Sequence, residues 1–90
     1  PCDYETITKS VEKTGRLVVV HEDNRTGGFG QTVIAEMTRI PDRWNLFLSP
    51  PQLVAREDVH IGYNPIYEYA ALPDVGQVVD AIRVTMEEAF

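Results

Sequence analysis

Hydrophobic residues follow two different spacings along this chain, and each spacing predicts one kind of secondary structure. Residues 17–20 (Leu-Val-Val-Val) are four consecutive apolar residues, three of them β-branched, which is typical of a strand buried on both faces. After a polar segment, apolar residues recur at Val33, Ile34, Met37 and Ile40, the spacing of one face of a helix. The centre of the chain is therefore predicted to form a strand, a turn and a helix.

A first helix is predicted over residues 3–13, ahead of that strand. Asp3 is well placed as the N-cap, and Ile7 and Val11 lie four residues apart on one face. Gly15 can adopt the left-handed conformation that ends a helix and lets the chain reverse into the strand.

The segments after the turn are predicted to include a second strand. The middle helix should run from about residue 30 to residue 40, because Pro41 interrupts it. Residues 43–48 carry three large apolar side chains at helical spacing, which favours a short helical turn, with a strand as the alternative. Residues 52–57 are predicted to form the second strand, and the helix between the two strands favours parallel pairing.

The last third of the chain is predicted to be a loop followed by a helix. Residues 59–65 have the composition of a surface loop, and the tyrosines at 63, 67 and 69 are expected to pack against the sheet edge. The final helix opens after Pro73 and Asp74, and its apolar residues are expected to form one stripe that lies on the sheet. These stripe residues are Val75, Val78, Val79, Ile82 and Met86.

The turn before the middle helix is a candidate anion-binding site. Its glycines permit positive φ, and the first N–H groups of the next helix stay unpaired. Thr26, Gly27, Gly28 and Gly30 could therefore hold an anion such as phosphate. The pattern lacks the third glycine of the dinucleotide fingerprint and the Gly-Lys-Ser/Thr of a P-loop. The alternative is that the glycines only permit a tight turn and close packing.

Charge, cysteine content and the length of apolar runs limit the partners and the location that can be expected. The net charge of −6 disfavours nucleic acid and anionic membrane surfaces and favours a basic protein surface. A single cysteine, Cys2, cannot form an internal disulfide or a thiolate metal cage, and a reducing cytoplasm is the expected location. No apolar run reaches the roughly 20 residues that span a bilayer, and the acidic start of the chain does not fit a signal peptide.

The sequence predicts no catalytic site and no metal site. The two histidines have no Cys, Asp or Glu partner at a recognised metal-ligand spacing, and the Gly-x-Ser-x-Gly motif of a nucleophile elbow does not occur. His21 and Glu22 lie at the C-terminal end of the first predicted strand, where α/β proteins usually bind ligands. The alternative is that His21 is a structural histidine held by hydrogen bonds. Glu87, Glu88 and Phe90 end the chain with carboxylates that oppose the helix dipole. They are candidates for contact with a cationic partner, or form a solvated end.

Two strings in the sequence resemble a known family. They are D-x-E-T-I-x-x-S-V-x-K-T-G-R-L-V-V-V-H-E at residues 3–22 and T-G-G-F-G at residues 26–30. They are similar to the C-terminal (transketolase C-terminal-like) domain of the beta subunit of 2-oxoacid dehydrogenase decarboxylating components, a group that includes the pyruvate, branched-chain and acetoin enzymes. Tyr63-x-Pro65 and Leu72-Pro73 match later landmarks. The resemblance is weaker over residues 41–62, where Arg-Glu-Asp at 56–58 replaces a Val-Thr-Gly-like turn.

The resemblance implies a fold and a state of association. It implies a three-layer α/β/α sandwich with a mostly parallel sheet, in which residues 1–90 form part of the family's domain and lack its first strands. One strand edge would then be open, and an open edge invites pairing with another chain. A dimer or larger homo-oligomer is therefore expected.

The resemblance also implies a role in assembly rather than catalysis. In the family, thiamine diphosphate and Mg²⁺ lie between the alpha subunit and the N-terminal domain of the beta subunit, so this chain is expected to bind neither. It would hold beta subunits together and offer a surface to the basic subunit-binding domain of the dihydrolipoyl acyltransferase. The alternative is a stand-alone anion- or nucleotide-binding α/β module that uses the glycine turn.

Overall fold

The computed structural model describes residues 2–56 and 73–89, which form four helices and two strands. The elements are α1 (Tyr4–Thr14), β1 (Val18–Asn24), α2 (Phe29–Thr38), α3 (Pro41–Trp44), β2 (Gln52–Arg56) and α4 (Val75–Glu87). The predicted loop at 59–65, the three tyrosines and Phe90 lie outside the described residues. Within them no helix is long and apolar enough to cross a membrane.

The two strands pair in parallel, as the intervening helix predicted. Val18 lies opposite Gln52, Val19 opposite Leu53 and Val20 opposite Val54. The register shifts between Val20 and Asn24, so the second half of β1 departs from regular pairing. Parallel strands need a crossover connection, and residues 25–51, which contain α2 and α3, provide it.

Helices cover both faces of the strand pair, which confirms the α/β class. Val19 packs against the core cluster that α1 and α2 build, and Leu53 lies beside Gly30 of α2. Val20 and Val54 occupy the opposite face, because successive side chains of a strand alternate. That face meets α4, which packs on both strands. The described residues therefore form three layers, with α1 and α2 on one side of the sheet and α4 on the other.

The core lies between α1, α2 and the sheet. Val11, Val33, Met37 and Phe47 form its buried cluster, and Met37 is completely buried. The helical spacing predicted the inward positions of Val33 and Met37, and both are confirmed. Ile40 is only half-buried because α2 ends at Thr38, two residues earlier than predicted. Ile40 has an extended backbone, the conformation expected immediately before a proline.

Both ends of α1 follow the sequence prediction. The Asp3 side chain accepts hydrogen bonds from the backbone N–H and the hydroxyl of Thr6, at 3.1 and 2.6 Å. At the other end Gly15 is left-handed, with φ of 70°, and its N–H donates to the Val11 carbonyl. A Cβ at this glycine would lie 2.5 Å from Cγ of Leu48, so the position requires glycine for space as well as for φ.

Two sequence predictions in this region are wrong in part. β1 is not buried on both faces: Val20 is 48% exposed, because α4 leaves part of that face uncovered. The helical turn predicted at residues 43–48 lies earlier in the structure: α3 begins at Pro41 and ends at Trp44. As a result Phe47 is buried, while Trp44 and Leu48 are largely exposed.

The final helix, α4, begins with a complete capping box. The Asp74 carboxylate accepts from the Gln77 N–H at 2.8 Å, and the Gln77 side chain accepts from the Asp74 N–H at 3.1 Å. Near the other end, Nε of Arg16 donates to the Thr85 carbonyl at 2.8 Å. This bond joins the end of α4 to the segment that enters β1. The start of α4 lies beside the end of β1, so the helix runs antiparallel to the strand.

Truncating the most buried core side chain should destabilise the fold strongly. Met37→Ala leaves a cavity between α1 and α2, and we expect the free energy of unfolding to fall by about 2–5 kcal/mol. Urea denaturation followed by circular dichroism measures the loss. Met37→Leu keeps most of the volume and should cost less than about 1.5 kcal/mol; equal losses for the two variants would contradict the packing.

The N-cap of α1 should make stability depend on pH in the acid range. The hydroxyl of Thr6, followed by its N–H, holds the pKa of Asp3 below its ordinary value of 3.8. Because folding lowers this pKa, the stabilisation is present at neutral pH and is lost as the pH falls below that value. Asp3→Asn can still cap the helix but carries no charge. Heat melts from neutral to strongly acid pH should show the wild type losing stability relative to this variant, and parallel curves would exclude the effect.

Candidate functional site

The predicted site residues of β1 and the glycine turn lie at the carboxyl end of the strand, where it meets the start of α4. A cleft of about 500 Å³ opens there between β1 and α4. Its lining is mostly apolar, with two carboxylates at its margin. The lining residues are Val20, His21, Glu22, Pro73, Asp74, Val75, Val78 and Val79.

The His21 imidazole packs closely on the glycine turn. A Cβ placed on Gly30 would collide with Nε2 of His21 and with Cδ1 of Leu53. A Cβ placed on Gly28 would collide with the backbone carbonyl oxygen of Asn24. Both glycines are buried, so they let α2 approach the end of the sheet. This geometry supports the packing interpretation of these two glycines.

His21 differs from the hydrogen-bonded structural histidine that was the alternative in the sequence. Nδ1 and Nε2 are both buried, and neither has a hydrogen-bond partner among the described residues. The ring is held by contact with the glycines rather than by polar bonds. Glu22, the next residue, is exposed. The two side chains point to opposite faces, as strand alternation requires, and do not form a catalytic pair.

In the rest of the glycine turn, some features favour anion binding and others disfavour it. Gly27 has φ of 74° with open space around its Cβ position, and its N–H donates to Oε1 of Gln31 at 3.3 Å. Gly28 is the N-cap of α2 and supplies no side-chain cap. The nearby cation, Arg25, donates from Nη1 to the Leu53 carbonyl at 3.0 Å, which directs it to β2. Anion binding by Thr26, Gly27, Gly28 and Gly30 stays a prediction.

The two groups of predicted contact residues lie at opposite ends of α4. His21 and Glu22 adjoin its start, whereas Glu87 is its last residue and Glu88 its C-cap. Thirteen helical residues separate these ends by roughly 19 Å. Glu87 and Glu88 are both exposed. The structure therefore does not bring the predicted residues into one site.

Sequence reasoning placed the apolar face of α4 incorrectly. Only Val78 of the predicted stripe is partly covered, whereas Thr85 is buried and Ala81 and Val84 are half-buried. The other four predicted residues form an exposed row, here called the outer stripe. It consists of Val75, Val79, Ile82 and Met86, which are 79, 43, 48 and 63% exposed. Their 4-3-4 spacing is that of a narrow coiled-coil seam.

The described part of the chain was searched for groups of side chains that could bind a metal ion. Residues 2–56 and 73–89 contain no group of three His, Cys, Asp or Glu side chains placed to hold a metal ion. What this region offers is contact surface: the cleft beside β1, the outer stripe and the acidic end of α4.

Filling the space beside His21 should destabilise the fold. Gly30→Ala drives a methyl group into His21 and Leu53, and we expect a loss of about 1–3 kcal/mol in urea denaturation. Gly76→Ala, the same change in α4, meets no atom closer than 3.3 Å and should be neutral or slightly stabilising. His21→Ala should relieve part of the Gly30→Ala loss in the double variant. Strictly additive losses would argue against the contact.

Comparison with known proteins places these features in a family. The family described as "Transketolase, C-terminal domain" matches residues 1–78. Three proteins named pyruvate dehydrogenase E1 component subunit beta align with more than nine tenths of the chain. The one from Rickettsia bellii is 35% identical over 83 residues, that from Rhizobium meliloti 42% over 84, and that from Staphylococcus aureus 38% over 88.

The aligned region is a small part of those relatives. It covers 92, 92 and 97% of this chain but only 25, 18 and 26% of the three relatives, respectively. The chain thus spans about a quarter of their length or less. The family match extends from α1 into α4 and includes the parallel strand pair and the glycine turn. The chain belongs to the transketolase C-terminal domain family.

Proposed function

We propose that this chain is an assembly and docking domain of a thiamine-diphosphate-dependent 2-oxoacid dehydrogenase beta subunit. The observation that carries the proposal is the 35–42% identity, over more than nine tenths of the chain, to E1 beta subunits. In this proposal the partners are a second beta subunit, the alpha subunit and the subunit-binding domain of the acyltransferase.

The chain's own residues serve binding in this proposal. Thiamine diphosphate supplies the decarboxylation chemistry of the parent enzyme, with Mg²⁺ as its metal. The described residues do not fit a role in holding that metal, because no three potential ligands lie together in them. In this proposal the remainder of the parent enzyme holds the cofactor.

The acidic end of α4 is the docking surface in this proposal. Glu87 and Glu88 are exposed at a helix C-terminus, where the dipole disfavours negative charge and a cationic partner would relieve the repulsion. Arg or Lys side chains of a basic domain could make charge-assisted hydrogen bonds there. Such contacts direct orientation and association rate more than affinity. The net charge of −6 attracts the same class of partner.

Neutralising these two carboxylates should weaken docking. We expect Glu87→Gln/Glu88→Gln to reduce binding to a basic subunit-binding domain of a dihydrolipoyl acyltransferase by about tenfold or more at low salt. Calorimetric titration with the purified domain measures the affinity. Added salt should weaken the wild-type interaction and reduce the difference between the two proteins.

A matched control removes the same charge elsewhere. Glu12→Gln/Asp42→Asn changes exposed carboxylates of α1 and α3, in the layer across the sheet, and should leave docking nearly unchanged. Equal losses in both double variants would mean that only net charge matters and would overturn this docking surface. A large heat-shift stabilisation by phosphate or nucleotide would instead favour the anion-binding alternative.

A further inference from the structure

The cleft between β1 and α4 has the position and the size of a small-molecule site. It opens at the carboxyl end of β1, and α/β sheets usually bind ligands beyond the carboxyl ends of their strands. Its volume of about 500 Å³ lies in the range of known ligand sites. The strand register shifts between Val20 and Asn24, so irregular backbone borders the cleft, as it often does beside binding sites.

Valine and proline side chains form the apolar walls of the cleft. Val20, Val75 and Val79 are 48, 79 and 43% exposed, so an apolar ligand would release water from them. Pro73 and Val78 complete the walls and are half-buried. These side chains have few rotamers and hold a fixed surface. The walls therefore favour one short alkyl chain or one aromatic ring.

The charges at the mouth of the cleft are negative. Glu22 and Asp74 are the charged residues of its described lining, and both are exposed. The ion pairs of the described residues engage other carboxylates, those of Glu5, Glu36 and Asp80. Asp74 caps α4 and lies at the positive end of the helix dipole. Glu22 should therefore attract a cation more strongly than Asp74 does.

We propose that the cleft between β1 and α4 binds a small organic amine, in its cationic form, that carries one apolar group. The apolar group lies against the valines and the ammonium group lies beside Glu22. The same carboxylates and the net charge of −6 repel phosphates and carboxylates. This site is at the other end of α4 from Glu87 and Glu88, and the inference stands independently of the proposed docking function.

The first test is a titration of the whole chain with phenethylammonium, followed by proton–nitrogen correlation NMR. Amide signals of residues 20–22 and 74–79 should move, with a dissociation constant in the micromolar to millimolar range expected for about nine non-hydrogen atoms. Phenethyl alcohol keeps the ring without the charge and should bind more weakly. Phenylacetate, with the opposite charge, should bind more weakly still. Methylammonium has the charge without the ring and should cause no shift.

A cation built into the wall tests the location of the site. Val79→Lys extends an ammonium group into the cleft and should raise the dissociation constant of phenethylammonium about tenfold or more, because like charges repel. Ile82→Lys makes the same change three residues later on α4, outside the described lining, and should leave binding nearly unchanged. The two wild-type side chains are 43 and 48% exposed, and heat melts establish that both variants are folded.

Removing one carboxylate tests the role of charge. Glu22→Gln should weaken phenethylammonium binding about threefold and leave phenethyl alcohol binding unchanged. Glu12→Gln, at an exposed residue of α1 across the sheet, should affect neither ligand. Added salt should reduce the effect of Glu22→Gln. The absence of shifts at millimolar amine, equal affinity for the amine and phenylacetate, or full binding by the Val79→Lys variant would each overturn the proposal.

Discussion

A parallel pair of strands exposes apolar side chains on both of its faces, so each face must be covered before the pair is stable. In this chain Val19 and Leu53 mark one face and Val20 and Val54 the other. The α1 and α2 layer covers the first face, where Val19 and Leu53 are half-buried. α4 covers the second face unevenly, so that Val54 is buried while Val20 is 48% exposed. The buried core, the cleft and the exposed stripe all follow from this unequal coverage.

The local structure of the chain could be predicted from its sequence because local interactions decide it. Asp3 and Gly15 delimit α1, Asp74 opens α4, and the helix between the strands makes their pairing parallel. Each of these features depends on residues close in sequence or on a general rule of connection. The buried positions of Val33 and Met37 follow from a periodicity that contains a single apolar face.

The orientation of α4 could not be predicted in the same way. Its apolar residues occupy two faces, and periodicity alone does not say which one meets the sheet. The contact is decided by distant partners: Arg16 binds the Thr85 carbonyl, and Ala81 and Val84 face β2. The position of the His21 ring was equally hidden, because the space it fills is created by glycines that lie seven and nine residues later. The sequence suggested candidate contact residues, but it did not show that those of β1 and those of the chain's acidic end lie at opposite ends of α4.

The bond between Arg16 and Thr85 has a consequence for how the chain acquires its structure. It joins residues 69 positions apart, and within residues 2–56 and 73–89 the second face of the sheet is covered by α4. Closing so long a loop is entropically costly and slows folding. Until it closes, the apolar side of the strand pair that α4 covers is open to aggregation.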